Sequence, residues 1–295
     1  MEIKCTDTGV QERQYWLQSL IGPRPVALVS TVDAAGNVNL APFSFFNLFS
    51  SEPPVVIFSP CRSVRTGEQK DTLLNILEVP ECVINIVDVS MAGQLNITSA
   101  MYGRGVNEYV AAGLTPIPAT LVKPPMVKQS KAQLECTVTE VKPLGQQGGA
   151  GNLVICEVQV IHVSDELLRD GKMQQDKLEH LARLGGDWYC SVRGNSLFEL
   201  GKPTVRCIGI PGLPASIRNN RLLTPNHLAA LGTVESIPVL VERCEDPKLG
   251  AIHTYYRGTQ KEERMFTYAG ELLDAGKVGA AWQALLSLQV HLLTN

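Results

Sequence analysis

Short apolar segments separated by clusters of turn residues dominate the first two thirds of the chain. Residues 25–32 (PVALVSTV) are rich in β-branched side chains and end at the turn cluster DAAGN, after which an extended pattern resumes at residue 38. This arrangement predicts a β-hairpin. Residues 133–141 alternate apolar and polar side chains, and residues 152–163 follow them after a glycine-rich stretch, so the two segments predict a second, longer hairpin.

Few helices interrupt this series of predicted strands. Between the hairpins the sequence predicts a strand at residues 55–59, a helix that Asp71 or Thr72 caps, and a strand at residues 82–87. Several β-rich segments linked by turns favour an antiparallel barrel over a parallel α/β sheet.

The carboxyl-terminal third has a different pattern. Just before it, LEHLARLGG (residues 178–186) has leucines at helical spacing and a Gly-Gly end, which predicts a short helix. GIPGLPASIRNN (residues 209–220) predicts a loop, and Thr224-Pro225 predicts a helix start. Residues 271–293 predict helix; the side chains available for one face are Trp282, Leu285, Leu286 and Leu293. We therefore predict a barrel domain at residues 1–205 and a mainly helical extension at residues 206–295.

Composition narrows the class of protein. The 295 residues are 44% hydrophobic and 19% charged, which predicts a folded chain with a substantial core. A net charge of −3 and a pI near 6.0 argue against nucleic acid or an anionic membrane as a partner. Eight cysteines occur singly, without a zinc spacing, and are expected to be reduced thiols. The charged amino-terminal segment does not resemble a secretory signal, and we expect a cytoplasmic protein.

Two segments have side chains suited to ligand binding. The loop CRSVRTGEQK (residues 61–70) brings three cations to the start of a helix, an arrangement that suits a phosphate group. NLAPFSFFN (residues 39–47) places amide and hydroxyl groups beside aromatic rings, which suits the edge of a planar heterocycle. The alternatives are a solvated surface loop for the first segment and a kinked, packed core strand for the second.

Other catalytic arrangements are disfavoured. Ser44 is not in a G-x-S-x-G elbow, and none of the five histidines has a motif that ties it to a serine or cysteine, so a hydrolase is not predicted. His162 is expected on a strand and His180 on a helix, in ordinary packing or exposure. GQQGGAG (residues 145–151) lacks a phosphate-binding fingerprint and is interpreted as the end of a hairpin.

The order of several motifs resembles the flavin reductase-like family of FMN-binding split β-barrels. The motifs cover roughly residues 15–200 and are, in chain order, RPVALVST, NLAPFSFFN, PP before an apolar strand, R-x-x-x-x-KDTLLNI, GVNEYVAAGLTP, KPPMVKQSKAQLEC and RLGGDWYCSV. Several ordered motifs are much harder to meet by chance than one. The resemblance implies a mainly β fold: an antiparallel, Greek-key split barrel with peripheral helices and, in this chain, a helical extension.

The resemblance also implies the residues of a flavin site. Those implied to line the isoalloxazine ring are Ser44, Phe45, Phe46 and Asn47. Those implied to face the ribityl phosphate are Ser59, Cys61, Arg62, Arg65, Lys70, Asp71 and Thr72. Tyr189 resembles a family aromatic near the flavin, although it could equally be a core residue that closes the barrel. Catalytic residues are not identified; a backbone amide or Ser44 is a candidate donor near the flavin N5.

The implied function is that of an NAD(P)H-dependent flavin reductase. FMN would be bound noncovalently, usually at a homodimer interface, with NADH or NADPH as the reductant. Electrons would pass from the flavin to oxygen, another flavin or a partner protein. Because flavin supplies the redox chemistry, the absence of an acid–base motif is expected. The alternatives are an FMN-binding electron carrier or flavin store without nicotinamide turnover, and a barrel that binds a partner protein without flavin.

Overall fold

The computed structural model describes residues 1–241 and 246–290. Residues 1–198 form one compact unit, here called the barrel unit, and residues 199–295 form a second, the helical unit. The domain boundary predicted after residue 205 falls a few residues later and stays a prediction. Three residues lie outside the described ranges: Cys244, one of the eight cysteines, His291, one of the five histidines, and Leu293 of the predicted last helix.

The barrel unit consists mainly of antiparallel strands. In chain order they are β1 (Arg24–Pro25), β2 (Ala27–Val32), β3 (Val38–Phe43), β4 (Phe46–Ser51), β5 (Pro54–Phe58), β6 (Glu81–Ile86), β7 (Pro116–Ile117), β8 (Met126–Val127), β9 (Ala132–Pro143), β10 (Asn152–Val163), β11 (Leu168–Arg169), β12 (Lys172–Met173), β13 (Leu181–Arg183) and β14 (Tyr189–Ser191). Its helices are α1 (Val10–Leu20), α2 (Asp71–Glu78), α3 (Ala92–Thr98) and α4 (Glu108–Ala111). Both predicted hairpins are confirmed, as β2–β3 and β9–β10.

The largest sheet has seven strands in the order β3-β2-β6-β9-β10-β5-β4. Only Ser44 and Phe45 separate β3 from β4 in the chain, although these strands are at opposite ends of that order. The chain from Phe43 to Phe46 reaches at most about 11 Å. Seven flat strands would be about 29 Å wide. The sheet must therefore curve until its two edges approach, which produces a barrel.

The inside of the barrel is apolar. Val29, Phe58 and Val154 are among its buried side chains, and α2 adds Leu73 and Ile76 to the same cluster. These two α2 residues are three positions apart and therefore share one helix face. On the opposite face of the sheet, a second buried cluster joins residues of β2 and β3 to α3 and α4. The sheet is thus covered on both sides over this part.

The predicted helix at LEHLARLGG is wrong. Residues 181–183 form β13, which pairs with β1 on one side and β14 on the other. Gly186 has φ +56°, and Leu184 N–H donates to Trp188 O, so the two glycines form a hairpin turn instead of a helix cap. His180 accordingly lies in a β-bridge with Asp88 and not on a helix. Pairing with β1, which is distant in sequence, outweighs the local leucine spacing.

The helical unit contains five α-helices in its described residues, together with a 3-10 helix at Ile210–Gly212: α5 (Ala215–Arg218), α6 (Pro225–Leu231), α7 (Pro247–Tyr255), α8 (Gly258–Asp274) and α9 (Val278–Val290). The predicted helix start is confirmed, because the Thr224 hydroxyl accepts the His227 N–H at 3.2 Å. The predicted loop at residues 209–220 is wrong in part, since it contains α5. The predicted face of the last helix is confirmed by the burial of Trp282, Leu285 and Leu286.

Candidate functional site

The three aromatic residues at the short link between β3 and β4 differ in burial. Phe43 ends β3 inside the barrel, where its ring centroid lies 5.3 Å from that of Phe58. Phe45 is 41% exposed, and Phe46 is partly buried. The packed-core alternative therefore describes Phe43 but not Phe45. We call residues 44–47 the ring segment.

Pairing between β4 and β5 brings the ring segment next to the beginning of the basic loop. Phe46 is opposite Phe58, and Asn47 is opposite Ile57. The Ser59 N–H donates to Phe45 O at 2.8 Å. The two segments that were predicted to hold a ring and a phosphate therefore adjoin in the fold.

The basic loop, residues 61–70, has its own internal hydrogen bonds. The N–H of Ser63 donates to Glu68 O at 2.9 Å, and the N–H of Gly67 donates to Ser63 O at 2.8 Å. The Arg62 Nη1 donates to Gly67 O at 3.1 Å. These bonds close the loop on itself, so its backbone has a defined conformation without help from a ligand.

The glycine-rich hairpin end at residues 145–151 packs against the basic loop and forms backbone hydrogen bonds with it. Arg62 N–H donates to Ala150 O at 2.9 Å, and Gly149 N–H donates to Arg62 O at 3.0 Å. A side chain at Gly148 would come within 2.9 Å of Ser63 O, so the two loops are as close as their backbones allow. The Asn152 amide, which is 3% exposed, also donates to Pro60 O at 2.9 Å.

The three cations of the basic loop are available to an anion. None of Arg62, Arg65 and Lys70 forms an ion pair with any residue in the described ranges. The Arg62 Nε is buried and has no hydrogen-bond partner among the described residues. A buried donor without a hydrogen-bond partner, on a loop whose cations form no ion pair in the described residues, fits a bound phosphate group. Burial raises the pKa of the neighbouring Cys61 thiol, and Lys70 acts in the opposite direction.

The start of α2 differs from the prediction. The N-cap residue is Lys70, and no side chain caps the helix. Asp71 instead lies 3.9 Å from Arg104. Thr72 is 1% exposed, and its hydroxyl accepts the Asn39 amide at 2.8 Å. The predicted side-chain cap is therefore wrong, and the Thr72 side chain belongs to the core instead of the loop surface.

Tyr189 lies in a different sheet from the ring segment. It is in β14 on the three-stranded sheet β1-β13-β14 and is 37% exposed. The Arg183 guanidinium lies 4.4 Å from its ring centroid, a cation–π contact. Within the described residues no hydrogen bond or ring contact joins Tyr189 to residues 44–47. Its predicted role near the flavin stays a prediction.

Comparison with known proteins identifies the family. A family model described as flavin reductase like domain matches residues 21–181, more than half of the chain. The chain belongs to this family. The implied ring and phosphate residues, from Ser44 to Thr72, lie within the matched range, and Tyr189 lies beyond it.

Relatives and solved structures agree with this assignment. An uncharacterized protein, BH2278 of Halalkalibacterium halodurans, is 37% identical over 207 residues, which are 70% of this chain and 98% of that protein. The structure of nitrilotriacetate monooxygenase component B from Bacillus cereus matches with a TM-score of 0.63 and 33% identity, over 68% of this chain and 98% of that one. A split-barrel protein from Shewanella frigidimarina matches with a TM-score of 0.58 and 27% identity, over 68% and 99%.

These findings confirm the predicted split-barrel fold, with peripheral helices and further helices at the carboxyl end. Membership of the flavin reductase-like family, with an oxidoreductase component among its structural neighbours, supports a flavin-related oxidoreductase. About a third of this chain lies outside the match to the Bacillus cereus protein, although almost all of that protein is matched. The match therefore leaves a substantial part of this chain without a counterpart there.

The sequence patterns did not predict that the glycine-rich hairpin end and Asn152 would support the basic loop. The sequence does contain a signal for a close contact, because Gly148, Gly149 and Gly151 come just before the buried Asn152. Closely spaced glycines permit close backbone approach. The glycines do not identify which segment of the chain would make that close approach.

No helix in residues 1–241 and 246–290 is long and apolar enough to cross a membrane. Over the same ranges, no group of three or more His, Cys, Asp or Glu side chains is placed to hold a metal ion.

Proposed function

We propose that this chain is an FMN-dependent oxidoreductase reduced by NADH or NADPH, most simply an NAD(P)H:flavin reductase. The observation that supports it best concerns the basic loop of a member of the flavin reductase-like family. The three cations of this loop form no ion pair within the described residues, and the loop begins next to the partly exposed ring segment. FMN has one phosphate group and one planar ring system. Its site therefore requires one cationic segment for the phosphate and one segment that can contact a flat ring.

The positions of the residues support a division of roles. The phosphate would be held by the basic loop, with Arg62, Arg65 and Lys70 as the charged donors. Ser59 and Cys61 lie where the loop leaves β5. The ring would lie against the ring segment, where Phe45 has an exposed face and Ser44 and Asn47 have hydrogen-bonding groups.

When bound, FMN would accept a hydride at N5 from the nicotinamide and pass electrons to oxygen, another flavin or a partner protein. The protein's part would be to bind and orient the ring. The proposal includes a homodimer with the flavin near its interface. The apolar exposure of β4 supports this part: Leu48 and Phe49 are each 62% exposed on a strand at the end of the sheet order.

Anaerobic reduction tests the function. Protein loaded with FMN is mixed with NADH or NADPH in a stopped-flow instrument, and the flavin absorbance is followed. We expect rapid bleaching with at least one nicotinamide. Bound flavin that neither nicotinamide bleaches would favour the electron carrier or flavin store, and a protein that binds no FMN would reject both flavin functions.

The phosphate site has a more specific test. Arg65→Ala or Lys70→Ala should weaken FMN binding by about 1–3 kcal/mol, because a charged hydrogen bond is lost. Riboflavin, which lacks the phosphate, should bind both variants nearly as well as the parent protein. Lys172→Ala, at an exposed lysine of β12, is the matched control. Equal losses for FMN and riboflavin, measured by isothermal titration calorimetry, would contradict this placement of the cations.

A further inference from the structure

Three basic side chains lie together at the beginning of α8 in the helical unit. Arg257 is the N-cap residue of α8, and Lys261 and Arg264 follow within its first two turns. An α-helix turns about 100° per residue, so the three positions lie within a sector of about 60°. The neighbouring carboxylates, Glu262 and Glu263, are each about 100° outside this sector. We name the three basic residues the α8 cationic cluster.

No carboxylate in the described part of the chain compensates this cluster. None of its three side chains forms an ion pair with a residue in the described ranges. Burial lowers the pKa of Lys261, and the positive charge of Arg257 lowers it further. Like charges at close range repel each other and oppose the compact state. A bound anion would remove this repulsion.

The end of α7 holds two of the cations in place. Arg257 Nη1 donates to the carbonyl oxygens of His253 at 2.9 Å, Thr254 at 3.0 Å and Tyr256 at 2.7 Å. Its Nε and Nη2 donate to no group in the described residues. Arg264 Cζ lies 5.3 Å from the Tyr256 ring centroid, a cation–π contact. Because these side chains are already ordered, an anion that binds them loses less side-chain entropy.

An exposed aromatic ring is close to the cluster in the chain. Tyr255 is the last residue of α7, two positions before Arg257, and is 79% exposed. The Cα atoms of these two residues are at most about 7 Å apart. Exposed aromatic side chains next to cations are suited to stack on nucleotide bases. The cluster and Tyr255 together suit a ligand with an anionic chain and a flat ring.

The number of positive charges selects among the possible anions. A phosphate monoester carries about −1.5 to −2 charge near neutral pH. Two or three linked phosphates therefore match three cations more closely than one phosphate does. Arg257 and Arg264 are seven residues apart, about 10 Å along α8. The long side chains of arginine and lysine can converge on a short phosphate chain from this spacing.

We propose that the α8 cationic cluster binds the diphosphate or triphosphate chain of a nucleotide, and that the base of this nucleotide stacks on Tyr255. This inference goes beyond the proposed function and does not depend on it. All four residues lie in the helical unit, outside the range that the family model matches, and none belongs to the basic loop or the ring segment.

Isothermal titration calorimetry of the full chain with ATP tests binding. The titration is made at low ionic strength and without divalent cations, because both salt and a metal ion would screen the phosphates. We expect saturable binding, with ATP bound at least about tenfold more tightly than AMP, which lacks two of the phosphates that the cations would contact. No saturable binding of ATP, or equal affinities for ATP and AMP, would overturn the proposal.

Matched substitutions in the helical unit test whether the cluster is the site. Lys261→Gln combined with Arg264→Gln should weaken ATP about tenfold or more, because two charged hydrogen bonds are lost. Lys277→Gln, at an exposed lysine between α8 and α9 that forms no ion pair in the described residues, should change the affinity by less than about twofold. Similar losses in the double variant and the control would overturn the proposal. If the double variant does not fold, Lys261→Gln alone replaces it.

Inorganic tripolyphosphate separates the base contact from the phosphate contacts. Tyr255→Ala should weaken ATP about fivefold or more, the loss expected for one stacked base. It should leave tripolyphosphate, which has no base, nearly unchanged. Equal effects on the two ligands would overturn the assignment of a nucleotide to the cluster.

Variants of the two basic regions separate this inference from the proposed function. Arg65→Ala, in the basic loop, should leave ATP binding unchanged, and the Lys261→Gln/Arg264→Gln protein should bind FMN like the parent. Loss of ATP binding in Arg65→Ala, with retention in the double variant, would assign ATP to the basic loop and overturn the inference. A protein that binds ATP through the cluster but binds no FMN would support the inference and reject the flavin function.

Discussion

The barrel unit and the helical unit differ in how they bury polar side chains. All the buried Ser, Thr, Asn, Gln, Asp, Glu and Arg residues in the described part of the chain lie in the barrel unit. The buried cluster of the helical unit is made of aliphatic and aromatic residues together with Met265. Both units have apolar cores, so the difference lies in the polar side chains that only the barrel unit buries among the described residues.

The difference follows from backbone hydrogen bonding. An α-helix satisfies most of its own N–H and C=O groups, whereas the loops between strands leave such groups to be paired by side chains. In the barrel unit, Asn152 binds Pro60 O and Glu135 binds three consecutive loop N–H groups. Buried polar residues of the barrel therefore fix loops, including the loop that begins the candidate site.

Trp282→Ala should have the largest effect and tests the helical unit. Trp282 is 0% exposed, and its Nε1 donates to Leu231 O at 3.1 Å. Its loss should lower the stability of this unit by about 3–5 kcal/mol through the cavity that it leaves. Urea unfolding followed by circular dichroism at 222 nm measures the change. Tyr255→Ala, at an aromatic residue that is 79% exposed in the same unit, should cost less than about 0.5 kcal/mol.

Glu135→Gln should have the next largest effect and tests a buried charge in the barrel. Burial alone would raise the pKa of Glu135, but the N–H groups of Thr120, Leu121 and Val122 and the His162 ring together lower it to about 2 from an ordinary value of 4.5. A lowered folded-state pKa stabilises the protein above the unfolded-state value. The stabilisation of about 3 kcal/mol at pH 7 is therefore lost as the pH falls from about 4.5 to about 2.

The measurement is urea unfolding of the Glu135→Gln variant and the parent protein between pH 7 and pH 3. We expect the difference in unfolding free energy to shrink as the pH falls below 4.5. A difference that is constant over this range would show that the ionised carboxylate is not the cause. Glu166→Gln, at a 59% exposed side chain 3.8 Å from Lys131, is the control and should change stability by less than about 1 kcal/mol.

Asn152→Ala should have the smallest effect on stability and links the comparison to the candidate site. Loss of its hydrogen bond to Pro60 O leaves a buried carbonyl group unpaired, so we expect a loss of about 1–2 kcal/mol. FMN should also bind more weakly, because Pro60 immediately precedes the basic loop. Calorimetric FMN titration and urea unfolding measure the two effects. The control is Gln159→Ala, at an exposed residue of the same strand; equal effects on FMN binding would argue against a role for Asn152 in fixing the loop.

Local patterns predicted six of the seven strands in the largest sheet. Turn residues such as Gly36, with φ +85°, mark where a strand must reverse, and apolar alternation marks which side of a strand is buried. Such signals depend on residues that are close together in the chain, so they can be recognised from the sequence alone. The helix predicted at residues 178–186 failed because β13 obtains its hydrogen bonds from β1, more than 150 residues earlier.

The candidate site was predictable in its parts but not in its geometry. The sequence by itself determined that residues 39–47 combine aromatic and hydrogen-bonding groups, that residues 61–70 are basic, and that both motifs follow the order typical of one family. Only the tertiary structure decided that Phe43 points into the core while Phe45 is exposed, that Thr72 is buried, and that the glycine-rich hairpin end supports the basic loop. The physical reason is that burial and loop support depend on contacts between residues far apart in the chain, whereas composition and motif order do not.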